Sequence, residues 1–201
     1  MPVIEKYPTS KLIGLSGTFC SGKDTAASHL VKHHNFMHIS TGNVLRDEAT
    51  KTGSNHQRET LIEIAVRLRK EYGSIGALVI KAIDQWEEER EAFCGGVVVS
   101  GLRVLGEAQE LTLQAVTLVF VDAPAEVRFD RQRKRAINTG RVVDTVNTLE
   151  EFIQSEKPEL EGLGGPERPN LRAIRSIADI QIWNDGTEGD YLKKIDSLLY
   201  P

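Results

Sequence analysis

The segment Gly17-Thr18-Phe19-Cys20-Ser21-Gly22-Lys23-Asp24-Thr25 leaves this chain the fewest options. It has the spacing G-x-x-x-x-G-K. The apolar run Leu12–Ser16 before it reads as a strand, and Ala26, Ala27, Leu30 and Val31 after it share one helical face. A strand that turns through glycines into a helix is the setting in which backbone N–H groups curl around phosphate oxygens. Gly17 and Gly22 permit the curl, with Cys20 and Ser21 between them. The helix start adds a positive end, and Lys23 supplies a point charge for β- and γ-phosphates. The residue after the lysine is usually Ser or Thr, whose hydroxyl binds Mg²⁺. Here it is Asp24, followed by Thr25. Two roles are open to Asp24: a Mg²⁺ ligand, direct or through water, or a cap on the helix.

The rest of the chain repeats the alternation. Phe36–Ser40, Val97–Ser100, Val116–Val121 and Ile180–Trp183 read as four more strands, and Trp183 as a core residue. Their β-branched, continuous character suits strands buried on both faces of a parallel sheet. Helical patterns lie between them: Leu61, Ile62, Ala65, Val66 and Leu68 on one apolar face, then residues 77–91, 125–137, 148–156 and 191–199. The expected fold is α/β, a three-layer αβα sandwich around a five-stranded parallel sheet. With roughly 150 residues per domain, residues 1–201 make one domain. Two helical excursions leave the sheet, at about 41–94 and about 131–177. Within the second, Lys157–Pro169 reads as a mobile loop.

Beyond the phosphate loop, Ile39-Ser40-Thr41-Gly42-Asn43-Val44-Leu45-Arg46 resembles the acceptor-binding segment of adenylate kinase and its relatives. Ser100-Gly101-Leu102-Arg103 resembles a second acceptor-arginine segment of nucleoside monophosphate kinases. Ala178–Thr187, with Asn184-Asp185-Gly186, resembles the ending of dephospho-coenzyme A kinases and of archaeal-type predicted nucleotide kinases. The resemblance spans Lys11–Leu199 and points to a P-loop nucleotide kinase-like family. It implies that Thr41, Arg46 and Arg103 bind the acceptor, and that Asn184 and Gly186 lie against the adenine of ATP. It also implies that residues 41–94 form the acceptor-binding insertion and 131–177 the lid. Ser100 stands where many relatives carry an acid that holds metal-bound water, which favours Asp24 as the replacement. Asp122 is a further outer-shell candidate, or else closes its strand.

Net charge is −4, yet Arg128, Arg131, Arg133, Lys134, Arg135 and Arg141 place six cations within fourteen positions. Phosphoryl transfer relies on positioning and on neutralising spread-out charge. Lid arginines do this while excluding water. Arg131, Arg135 and Arg141 are the expected contacts, with Arg133 and Lys134 solvated. The acidic balance argues against a nucleic-acid partner. No run reaches the roughly 18 apolar residues of a membrane span. Cys20 and Cys94 form neither a disulfide framework nor a zinc pattern, which fits a reducing cytoplasm. His33, His34 and His38 read as structural or surface residues, not metal ligands.

The resulting expectation is a cytoplasmic, Mg·ATP-dependent kinase of a nucleoside or deoxynucleoside monophosphate, monomeric or homodimeric. Dephospho-coenzyme A kinase, or another small-molecule kinase, is the alternative. Its hydroxyl acceptor calls for a carboxylate base near the second strand, where Asp47 and Glu48 lie close. A P-loop switch protein is the alternative of another class, but no N-K-x-D segment reads guanine.

Overall fold

Runs of apolar residues without polar alternation become strands that pack against helices on both faces. The computed structural model describes residues 11–114, 116–139 and 147–199. Its strands are β1 (Lys11–Gly17), β2 (Phe36–Ser40), β3 (Gly96–Leu102), β4 (Thr117–Asp122) and β5 (Ile180–Trp183). They form one sheet in the order β2-β3-β1-β4-β5, parallel at every pairing. This is the expected α/β sandwich.

Because successive side chains point to opposite faces, strands β1 to β4 feed two cores, and β5 feeds one. Val97 and Val99 of β3, with Leu118 and Phe120 of β4, join one apolar cluster, completed by helices α2 (Thr41–Lys51), α3 (Arg58–Tyr72), α4 (Ala77–Glu89), α5 (Leu105–Thr112) and α8 (Leu171–Ile177). Val98, Val119, Val121 and Ile182 face the other way. They pack with Ile13 and Leu15 under α1 (Lys23–His34) and α9 (Glu188–Asp196). The two remaining helices, α6 (Ala125–Thr139) and α7 (Leu149–Glu161), meet through Phe129 and Phe152, whose ring centroids lie 5.7 Å apart.

Several expectations need correction. Trp183 is 44% exposed and is no core residue, because β5 is an edge strand. The expected loop from Lys157 begins as helix: α7 continues to Glu161, with Pro158 inside it and Gly162 as its left-handed C-cap at φ 67°. Helix α5 has no counterpart among the expected helices, and α8 falls at the end of the 131–177 excursion. Val31 lies exposed on α1, and Ile62 and Val66 are exposed on α3.

Candidate active site

The phosphate loop joins β1 to α1 at the centre of the sheet, between the ends of β3 and β4. Gly17 is tied to this place by space as well as conformation. Its φ is +144°, and a Cβ there would lie 2.0 Å from the Val121 carbonyl oxygen. Gly22, at φ +109°, caps α1, and a Cβ would come within 2.5 Å of Asn184 Nδ2. Cys20 adopts φ 57° without being glycine. Burial pushes its thiol pKa up.

The loop is clamped from distant parts of the chain. Thr18 donates its hydroxyl to Asp122 Oδ1 at 2.7 Å, so Asp122 both closes β4 and anchors the loop. Asn184 donates from Nδ2 to the Ser21 carbonyl at 2.8 Å and is 4% exposed. Tyr191 on α9 donates to the Gly22 carbonyl at 3.0 Å. Arg131 on α6 reaches the Ser21 carbonyl at 3.3 Å and both Asn184 oxygens at 3.2 Å. The Asn184 side chain is therefore occupied with the loop. The Ser21 hydroxyl is fully buried with no hydrogen-bond partner among the described residues. Such an orphan is costly unless a ligand satisfies it.

Lys23 is folded back, donating to the Thr18 carbonyl at 2.6 Å. Burial lowers its pKa to about 8. Asp24 and Thr25 are exposed at the same mouth, with Asp24 Oδ2 3.9 Å from Arg135. A carboxylate beside a hydroxyl is a hard-oxygen donor pair of the kind Mg²⁺ takes. Gly186 is exposed beyond β5. Lys23, Asp24, Thr25 and Asn184 border a cavity of about 600 Å³ that also has Phe19, Arg131 and Glu188 on its wall, while Gly186 does not line it.

A second cavity of about 670 Å³ adjoins it, and Ser40, Gly101 and Arg103 line both. Its floor is the turn from β2 into α2. Thr41 is buried there, donating to the Gly101 carbonyl at 2.9 Å. Arg46 projects one turn on and donates to Asn43. Arg103, half exposed, pairs with Glu159 of α7 at 2.8 Å. Ile62 and Val66, with Leu61 and Ala65, form an apolar wall, which explains their exposure on α3. At the end of β3, His38 Nε2 lies 2.7 Å from Ser100 Oγ, and burial lowers the His38 pKa.

Among the residues lining this second cavity that no sequence motif marks are four charged side chains from distant elements. Arg58 and Arg69 come from α3, Arg168 from the segment before α8, and Glu159 from α7. The Arg69 Nε is buried and unpartnered among the described residues. Its NH2 lies 3.9 Å from Glu107, a buried acid whose pKa burial raises and which accepts from the Arg103 and Val104 N–H groups. No motif marks any of the four. In sequence they are ordinary charges on amphipathic helices.

The basic segment divides. Arg131 and Arg135 face the loop, while Arg133 and Lys134 are exposed. Arg128, counted among the six cations of the basic segment, is buried: it pairs with Glu156 and donates from Nε to the Ala123 carbonyl at 2.9 Å. Arg141 lies outside the described residues.

Fold and loop together define a P-loop protein of small-kinase architecture. The family described as AAA domain matches residues 14–150. A UPF0200 protein of Pyrococcus horikoshii is 31% identical over 194 residues, covering 94% of this chain and 94% of the relative. A UPF0200/UPF0201 protein of Archaeoglobus fulgidus is 28% identical over 192 residues, 94% of this chain, and the chain spans 55% of that longer relative. The chain belongs to the AAA domain family and, with the Pyrococcus protein, to the UPF0200 proteins. Shikimate kinase of Acinetobacter baumannii, solved with shikimate, shares the fold at a TM-score of 0.54 and 16% identity, covering 95% of this chain and 92% of that one. The expected membership in a P-loop nucleotide kinase-like family is borne out. Among the described residues no helix is long and apolar enough to cross a membrane.

Proposed function

We propose that the protein is an ATP-dependent phosphotransferase whose acceptor is a nucleoside or deoxynucleoside monophosphate. The observation that carries this reading is the pair of cavities meeting at Ser40, Gly101 and Arg103. One is bordered by a phosphate loop. The other combines an apolar wall with Arg46, Arg69 and Arg103, a combination suited to a flat base and an anionic phosphate.

In this reading an acceptor phosphate oxygen attacks the γ-phosphorus in line. Its new P–O bond forms as the β–γ bridge breaks and ADP leaves. No general base is needed, because the acceptor is already ionised near neutral pH. Lys23 and Arg135 neutralise charge on the moving group, while Arg131 keeps the loop in shape. Arg46, Arg69 and Arg103 hold the acceptor in line. Asp24 and Thr25 are the residues that would hold Mg²⁺, which supplies further neutralisation of the phosphates when bound.

A second reading rests on Glu159. A carboxylate beside Arg103 in the acceptor cavity could take the proton of a hydroxyl acceptor, as in dephospho-coenzyme A kinases or other small-molecule kinases. The test is one screen. Purified protein with Mg·ATP is offered the ribo- and deoxyribonucleoside monophosphates and dephospho-coenzyme A, and ADP is followed. ADP release stimulated by a monophosphate supports the first reading, and stimulation only by a hydroxyl acceptor supports the second. Equal basal hydrolysis with every acceptor sinks both.

A further inference from the structure

At the end of α1 remote from Lys23, three side chains converge on one point. His29 Nε2 lies 2.6 Å and His34 Nε2 2.8 Å from the same oxygen, Asp196 Oδ1, at the end of α9. The ligating atoms of all three fall within 4.8 Å of one another. The two imidazoles are mostly buried, at 13% and 21% side-chain exposure, while the carboxylate is 41% exposed and leaves the cluster open to water. His33 stands beside His29, with ring centroids 4.8 Å apart. None of these residues borders either cavity described above.

We propose that His29, His34 and Asp196 form a binding site for a borderline-soft divalent metal, of which Zn²⁺ is the representative. Two imidazole nitrogens and a carboxylate oxygen are a zinc donor set, with a fourth position left for water. Mg²⁺ prefers oxygen ligands throughout and is a poor match. A tetrahedral ion with bonds of about 2.0–2.1 Å sets its ligand atoms roughly 3.3 Å apart. The His–Asp spacings of 2.6 and 2.8 Å therefore need to widen by about 0.5–0.7 Å, and the widest spacing in the trio, up to 4.8 Å, to close by as much as about 1.5 Å, through small rotations of the three side chains. The last turn of α1 is also the negative end of its helix dipole, which favours a cation.

The ion would act as a brace. Asp196 ends α9, and Tyr191 near the middle of that helix holds the Gly22 carbonyl at 3.0 Å. Metal at His29 and His34 would fasten α9 to the far end of α1, so that the pair behind the phosphate loop is joined at two points. His34 is eleven residues from Lys23 in one helix, about 16 Å along the axis. The inference is thus independent of the kinase reading, and its test needs no substrate.

Untagged full-length protein, stripped with chelator, is titrated with Zn²⁺ by calorimetry and melted with and without one equivalent. The expected result is one tight site, a raised Tm on Zn²⁺ addition and no such rise with Mg²⁺. Asp196→Asn and His34→Gln should each weaken Zn²⁺ binding at least about tenfold and abolish the Tm rise, while His33→Gln keeps both. Co²⁺ substituted into the wild-type protein should give the intense visible absorption of a tetrahedral site, weakened in His34→Gln. This spectrum stands as a test even if Asp196→Asn does not fold. Absence of wild-type binding overturns the proposal. So does Zn²⁺ affinity unchanged in Asp196→Asn and lost in His33→Gln, which would put the ion on a helix-surface His29–His33 pair.

Discussion

The two adjoining cavities are built on different principles. The donor side is made of backbone, held in one shape by glycines and by hydrogen bonds to its carbonyls from Asn184, Tyr191 and Arg131. The acceptor side is made of side chains, with cations contributed by α2, α3, the end of β3 and the segment before α8. A site made of backbone has few sequence solutions, because Gly17 and Gly22 admit no Cβ. A site made of long charged side chains has many, and can change its ligand without changing the fold.

Breaking the donor side should have the largest effect. Lys23→Met is expected to lower kcat by roughly 100-fold or more while leaving the melting temperature unchanged or higher, since it removes a buried amine. Kinetics and calorimetry on one preparation check both. A fall in Tm alongside the loss of kcat would mean that the lysine also holds the loop together.

Arg128 marks the boundary between the two principles, since it belongs by sequence to the basic segment and by position to the interior. Arg128→Met leaves Glu156 buried without its partner and should cost about 3–5 kcal/mol of stability. The double change Arg128→Met with Glu156→Met should recover much of that. Urea unfolding measures both, and normal stability in the single variant would mean that the buried pair does not hold α6 to α7.

On the acceptor side, Arg46→Ala and Arg69→Ala should raise the acceptor KM roughly tenfold or more, the worth of one charged hydrogen bond, and leave the KM for ATP unchanged. A rise in the ATP value would merge the two cavities into one functional unit.

Proton linkage comes next in size. Below about pH 8 the Lys23 amine of the empty protein is charged, and above that it is progressively neutral. Bound phosphates favour the charged form, so ATP affinity should decline as pH rises through 8. Binding at pH 8 should take up a fraction of a proton, read by calorimetry in buffers of different ionisation enthalpy. No proton uptake would mean that Lys23 is already fully charged there.

Glu159→Gln should give the smallest change. Freeing Arg103 from an exposed ion pair worth up to about 1 kcal/mol should lower the KM of a phosphate acceptor by at most about fivefold. Collapse of kcat instead would identify Glu159 as the base for a hydroxyl acceptor.

The same contrast explains what could be read from sequence. The sheet was legible because doubly buried strands are continuous apolar runs, and the phosphate loop because its glycines are sterically compulsory. The edge position of Trp183 was not, because only strand order shows which strand lacks a neighbour. Pro158 within α7 reads locally as a breaker, yet Phe152 and Glu156 anchor the helix on its buried side. Arg58, Arg69 and Arg168 carry no local signal, since nothing near them in the chain says which cavity they will face. The same is true of the His29–His34–Asp196 cluster, whose carboxylate arrives 162 residues after His34.

The clamps on the phosphate loop also set an order of events. Asn184 and Tyr191 lie 163 and 169 residues from the carbonyls they hold. A ribosome therefore delivers the loop well before the residues that restrain it. Until those residues emerge, the chain carries the phosphate-binding sequence without the clamps that hold its shape. A nucleotide that needs the clamped loop would thus reward the docking of α9 more than the formation of the loop itself.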